Sequence, residues 1–180
     1  MILLYKELVM QYKTDYKIKK IIEEGKIHKI EKGIYSNNKN VNFLEVITKK
    51  YPNAIFTMDS AFYYHNLTDV IPKKTYLALK RDSTKIKDNR IDVTYYQEKF
   101  FEVGRTTLKV NGIEIQIYDK ERMLIELIRN RKIIGYDYYK EIINNYREIK
   151  DTLSIKKITE YINKFAIKDY LYDVIMNEVF

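Results

Sequence analysis

"GKIHKIEKGIYS", Gly25 to Ser36, decides how the first third of this chain is read. Two short apolar runs, Ile27/Ile30 and Ile34/Tyr35, are separated by "EKG" and studded with Lys26, Lys29 and Lys32. That is the pattern of a tight two-stranded hairpin. Such a hairpin is marginal alone in water, so another element must pack against it. Gly25 at its head fits the C′ position at which helices end. Ile27, Ile30 and Ile34 are then expected to pin the hairpin back on the helix before it, with Lys29 and Lys32 facing out.

Working backwards, "TDYKIKKIIEEG" supplies that helix. Thr14 is a suitable N-cap, and Asp15 is favourable beside the positive helix terminus. Ile18, Ile21 and Ile22 share one face. At 100° per residue Tyr16, Lys20 and Glu23 fall opposite, flanked by Lys13 and Lys17. Further back, Leu4, Leu8 and Tyr12 recur at helical spacing and predict a helix over 2–12.

Forward of the hairpin, "SNNKN" (36–40) reads as a linker of turn-forming residues. A helix is expected over 41–50, a strand at "AIFT", a short helix at "MDSAFYYHNL" and strands at "TYLALK", "IDVTYY" and "FFEVG". "TTLKVNGIEIQIY" reads as two alternating strands joined by Asn111-Gly112, a pair suited to a type I′ turn. "DKERMLIELIRNRK" opens a helix capped by Asp119, with Leu124, Leu127 and Ile128 at i, i+3 and i+4. Two or three more helices fill 136–180. The fold class is therefore α+β: a reduced winged helix-turn-helix over 1–36, a linker at 37–40, and a mixed α/β domain with a helical C-terminus over 41–180.

Composition narrows the chemistry. The chain has 180 residues, a net charge of +8 and no cysteine. Neither a disulfide framework nor a thiolate metal site is available. Two histidines, His28 and His65, are too few for a His-based zinc site without carboxylate help. The excess of lysine favours an anionic partner, but Ile, Lys, Asn and Tyr all abound, as in A/T-rich coding sequence. Placement along the chain therefore counts for more than the total. No apolar run reaches 18 residues, so no membrane span is expected. The start, "MILLYKELVMQYK", reads as a folded helix rather than a signal peptide, which points to the cytoplasm.

Helix, short turn, helix with a basic outer face, then hairpin: this is the order of a winged helix-turn-helix. In such a module the second helix enters the major groove and hairpin lysines reach phosphates. On this reading Tyr16, Lys17 and Lys20 approach bases or groove phosphates. Lys13, Lys29 and Lys32 contact phosphates, and Thr14 caps the helix. The same lysines also fit an ordinary solvated face.

The sequence is similar to a known family at three places. "IKKIIEEGKIHKIEKGIYS", with Gly33 and Tyr35, resembles the recognition helix and wing of AbiEi-type antitoxins. "YPNAIFTMDSAFYYHNLTDVIP", with Ser60, Ala61, His65 and Leu67, resembles the block that follows in that family. "YDKERMLIELIR", with Glu121 and Arg122, resembles its later Glu-Arg-Thr-Leu-x-Asp helix, Met123 and Glu126 replacing threonine and aspartate. The three come in the family's order across residues 14–131. The resemblance implies an autoregulatory repressor that binds double-stranded DNA at its own promoter. It further implies an antitoxin that counters a nucleotidyltransferase-like toxin in a phage-defence (abortive-infection) operon. The family's module has a helix before "LYKELVMQY", so another element, such as a C-terminal helix, is expected to cover the exposed face. A different class stays open: an interaction module that neutralises a toxin, or docks on another macromolecule, without touching DNA.

No catalytic set is legible. Ser60 and His65, five residues apart on one short helix, face different directions, whereas a nucleophile and base must touch. Ser60 is expected to cap or pack and His65 to make a helix-end hydrogen bond. Glu121 is expected near its helix N-terminus, with Arg122 clamping a carboxylate or carbonyl of the preceding sheet. "IDVTYYQEK" offers Asp92, Glu98 and Lys99, but Glu98 and Lys99 would point to opposite faces of a strand. No Gly-rich phosphate loop occurs. The chain is read as a non-enzyme without metal or cofactor. Its 18 tyrosines are read as boundary and interface residues, with base stacking as the alternative.

Overall fold

The computed structural model describes residues 1–180. It is a mixed α+β structure of two compact units, Met1–Asn53 and Ala54–Phe180. No helix is long and apolar enough to cross a membrane.

The first unit opens with strand β1 (Ile2–Leu4), not with a helix. Helix α1 (Tyr5–Tyr12) starts three residues later than its apolar spacing predicts. The reason is tertiary: Ile2, Leu3 and Leu4 pair antiparallel with Ser36, Tyr35 and Ile34 of β3 (Ile34–Ser36). Helix α2 (Asp15–Glu23) and strand β2 (His28–Glu31) complete the path, and the sheet runs β1-β3-β2.

The two faces of this sheet are covered differently. On one, Leu3 and Tyr35 join Leu8 of α1, Ile18, Ile21 and Ile22 of α2, and Ile27. Leu8 and Ile18 are almost solvent-free, and burial of each contributes about 1.5–3 kcal/mol. On the other, Ile2, Leu4, Ile30 and Ile34 pack on Val46 of helix α3 (Phe43–Lys50). Only Ile27 of the three hairpin isoleucines lies in the cluster with α2. Ile30 and Ile34 turn the opposite way, because a strand alternates sides. The exposed face is thus covered by α3, within the same unit. For the same reason the chain divides at Asn53 rather than at 37–40. Two ion pairs reinforce α3, Lys49 Nζ to Glu7 Oε1 at 2.7 Å and Lys50 Nζ to Glu31 Oε1 at 2.6 Å.

The second unit is built on a five-stranded mixed sheet in the order β6-β5-β4-β8-β7. Its strands are β4 (Ile55–Phe56), β5 (Thr75–Lys80), β6 (Ile91–Tyr96), β7 (Arg105–Val110) and β8 (Ile113–Tyr118). β4 pairs parallel with β8 and antiparallel with β5, while β5 and β6 are parallel. The β7–β8 hairpin turns at Asn111 (φ 49°) and Gly112 (φ 84°), two positive φ angles as a type I′ turn requires.

Helix α4 (Met58–Tyr64) follows β4, and the short α5 (Glu98–Phe101) occupies the start of what alternation predicts as the strand "FFEVG". Glu98 and Lys99 therefore lie on a helical turn, not on opposite faces of a strand. Helices α6 (Lys120–Arg129), α7 (Tyr136–Glu148), α8 (Ile155–Ile162) and α9 (Lys168–Glu178) complete the unit. All eight residues Glu121–Ile128 of α6 are buried. Their i, i+3, i+4 pattern promises a single apolar face, yet α4, α8 and α9 enclose α6 from several sides. That is why its polar residues are buried too.

Candidate nucleic-acid interface

Two local devices hold α2 in place. At its start Thr14 Oγ1 accepts from the Lys17 amide at 3.4 Å, satisfying one of the orphan donors of the first turn. At its end the amides of Gly25 and Lys26 donate to the carbonyls of Ile22 and Ile21, both at 3.0 Å. This is the Schellman closure, and it needs Gly25 at φ 71°. Tyr5 OH donates to Asp15 Oδ1 at 2.6 Å, tying α1 to the head of α2. The Tyr5 phenol is held above its ordinary pKa, first by that bond.

The outer face of α2 is open. Lys13, Thr14, Tyr16, Lys17 and Lys20 are all exposed, as are Lys29 and Lys32 on the hairpin. Tyr16 keeps 76% of its surface accessible, unusual for an aromatic ring on a small folded unit. None of Lys13, Lys17, Lys20, Lys29 and Lys32 is in an ion pair. The nearby carboxylates are engaged elsewhere: Glu7 with Lys49, Asp15 with Tyr5, Glu24 with Lys26 and Glu31 with Lys50. The unit carries eleven lysines against six carboxylates, +5 of the chain's +8. Its charge is thus concentrated in 53 residues, and the lysines on this face are free to meet anions.

Lys32 and Gly33 form the hairpin turn, with Gly33 at φ 81°. Lys29 lies across from Tyr35, which is buried and whose ring sits 6.1 Å from that of Tyr5. Between the end of α2 and the hairpin runs a groove of about 370 Å³, lined by Ile22, Ile27, His28, Lys29, Ile30 and Lys39. Lys39 is missed by sequence reasoning. It stands among the polar residues 36–40, and no periodicity marks which of them returns to the hairpin.

The other singled-out residues lie in the second unit and make internal contacts. Ser60 is buried and its Oγ accepts from the Tyr76 amide at 2.9 Å. His65 Nε2 donates to the Tyr118 carbonyl at 2.7 Å, and burial pushes its imidazole below the ordinary pKa. The two side chains thus serve separate backbone groups. Ala61 and Leu67 are core residues. Glu121 Oε1 accepts from the Ser154 amide at 3.0 Å, joining the start of α6 to that of α8.

Arg122 is fully buried. Its Nη1 donates to the carbonyls of Phe100 and Val103 at 3.0 and 3.4 Å, and its Nε to Glu126 Oε1 at 3.0 Å. Nη2 lies 2.7 Å from the same carboxylate oxygen, an ionic contact off the hydrogen-bond direction. The guanidinium is enclosed by the rings of Tyr96, Tyr118 and Phe165 at 4.9–5.3 Å, and Glu126 also binds Arg129 at 2.8 Å. This buried cluster fastens α6 to α5 and the turn that follows it. No protein-family model matches the chain, and no curated protein matches it.

Proposed function

We propose that residues 1–53 act as a winged helix that binds double-stranded DNA. In this reading α2 is the recognition helix and the β2–β3 hairpin the wing. The chain would serve as an autoregulatory repressor and antitoxin of the AbiEi type. One observation carries the DNA reading: five unpaired lysines on the outer side of α2 and the hairpin, while four of the unit's six carboxylates are held by other partners. The order β1, α1, α2, β2, β3, with β3 central in the sheet, supports it. Tyr16, Lys17 and Lys20 approach base edges or groove phosphates. Lys13, Lys29 and Lys32 hold phosphates, which fix register but carry no sequence information.

The antitoxin half rests on the three ordered motifs between residues 14 and 131. Its partner would be a nucleotidyltransferase-like toxin encoded beside this gene. Fluorescence anisotropy on the chain's own promoter tests the DNA half. Lys17→Glu plus Lys20→Glu should abolish specific retention, and unchanged binding by that variant would remove this surface from consideration. For the antitoxin half, co-expression should relieve growth arrest by the neighbouring toxin; a flanking region without such a reading frame argues against it.

A further inference from the structure

The second unit holds a separate cationic cleft, and we propose that it binds a nucleoside phosphate. Helix α7 presents Tyr136, Tyr139, Lys140, Ile143, Asn144 and Arg147 along one face, at i, i+3, i+4, i+7, i+8 and i+11. The turn after α6 adds Arg131 and Lys132, and the end of α9 adds Glu178. The cleft is open on one side and its volume is about 630 Å³, within the range of small-ligand sites.

Four cations line this cleft against one carboxylate, and that carboxylate is occupied. Glu178 Oε2 accepts from Tyr139 OH at 2.7 Å, and Oε1 lies 3.7 Å from Arg131 Nη1. Arg147 donates to the Glu178 carbonyl at 2.6 Å and to Asn144 Oδ1 at 3.1 Å, which holds its guanidinium in place. Lys132 and Lys140 are exposed and have no ion-pair partner. General lysine richness does not account for this. Residues 54–180 contain 22 basic and 19 acidic side chains, so the unit is near balance and the cleft is a local excess.

The apolar part of the lining makes a nucleotide a better fit than a bare anion. Tyr139 is held in place through its hydroxyl, the buried Ile143 lines the same cleft, and Tyr136 leaves 74% of its surface exposed. A base stacks on such a ring irrespective of its sequence identity, while Lys132, Lys140 and the two arginines meet the phosphates. An acidic peptide would use the cations but leave the aromatic strip unfilled.

Calorimetric titration of the full chain with ATP, adenosine and pyrophosphate tests the assignment. ATP should bind saturably and more tightly than either part. Lys132→Ala plus Lys140→Ala should weaken ATP at least tenfold with the unfolding midpoint unchanged. Tyr136→Ala should weaken ATP several-fold while leaving pyrophosphate unaffected. ATP binding that survives the double lysine variant, or that is lost instead on Lys17→Glu plus Lys20→Glu, would overturn it. So would pyrophosphate binding as tightly as ATP. Competition by a short single-stranded oligonucleotide separates the sources: displacement below the ATP concentration needed identifies the terminal unit of a strand, and the reverse identifies a free nucleotide.

Discussion

Salt dependence gives the most direct reading of the α2 surface, because each phosphate neutralised by a lysine releases counterions. Lys13, Lys17, Lys20, Lys29 and Lys32 are exposed and unpaired. If all five sit on phosphates, log K should fall against log salt with a slope of about −4.5, taking about −0.9 per contact on B-DNA. Between about 50 and about 200 mM salt that amounts to a loss of about 500-fold. Lys17→Ala plus Lys20→Ala removes two contacts, so the slope should relax to about −2.7 and the loss over the same interval to about 40-fold. Neither lysine has an internal partner, so stability should change by less than about 0.5 kcal/mol. Anisotropy titrations at four or five salt concentrations, on promoter DNA and on an unrelated duplex, give both slopes. A double variant that keeps the parent slope would show that the phosphates are met elsewhere. A parent slope near zero would show that this face does not meet DNA at all.

Three further outcomes test the supporting framework. Arg122→Ala should lower stability by about 3–5 kcal/mol in urea unfolding, since it removes the buried cation beside Glu126, leaving that carboxylate to the half-exposed Arg129 and Asn130, and frees the Phe100 and Val103 carbonyls. Gly104→Ala should cost about 1–3 kcal/mol, because Gly104 sits at φ 76° and a Cβ there would strike Arg122 Cβ and lie 2.9 Å from Asp119 Oδ1. Burial lowers the His65 pKa, so the unfolded chain takes up its proton first. His65 should therefore contribute stability that is full above pH about 6.5 and is lost as pH falls toward the folded value, at no more than about 1.4 kcal/mol per pH unit. His65→Gln, which retains a donor toward the Tyr118 carbonyl, should flatten that decline in thermal scans from pH 7 to pH 5.

Features set by a few adjacent residues were legible in the sequence. Asn111-Gly112 marks its turn, Thr14 its cap and Gly25 its helix end, because each acts on backbone groups within about five positions. The lysines of α2 were legible in the same way, from helical angle alone. What depended on distant partners was not. Ile2–Leu4 becomes a strand only because β3, thirty residues away, offers its edge. Ile30 and Ile34 look like companions of α2 until α3 supplies a second apolar surface. The enclosure of α6 and the order of the five-stranded sheet rest on contacts between elements far apart in sequence, which periodicity does not encode. The α7 cleft escaped for a different reason: Lys140 and Arg147 look like charges on any solvated helix, and only the turn that carries Arg131 and Lys132, together with α9, makes the surface concave.

The support of the β2–β3 hairpin from both sides bears on how it would engage a partner. A hairpin lying loose against one helix must be immobilised when it docks, and that loss of freedom subtracts from affinity. Here Ile27 holds one side against α2, Ile30 and Ile34 hold the other against α3, and the Lys50–Glu31 contact ties down the tip. Only the side chains of Lys29 and Lys32 remain to be ordered on contact. The hairpin is therefore pre-organised: its conformational entropy is lost when the chain folds, so docking on a partner would require little backbone rearrangement.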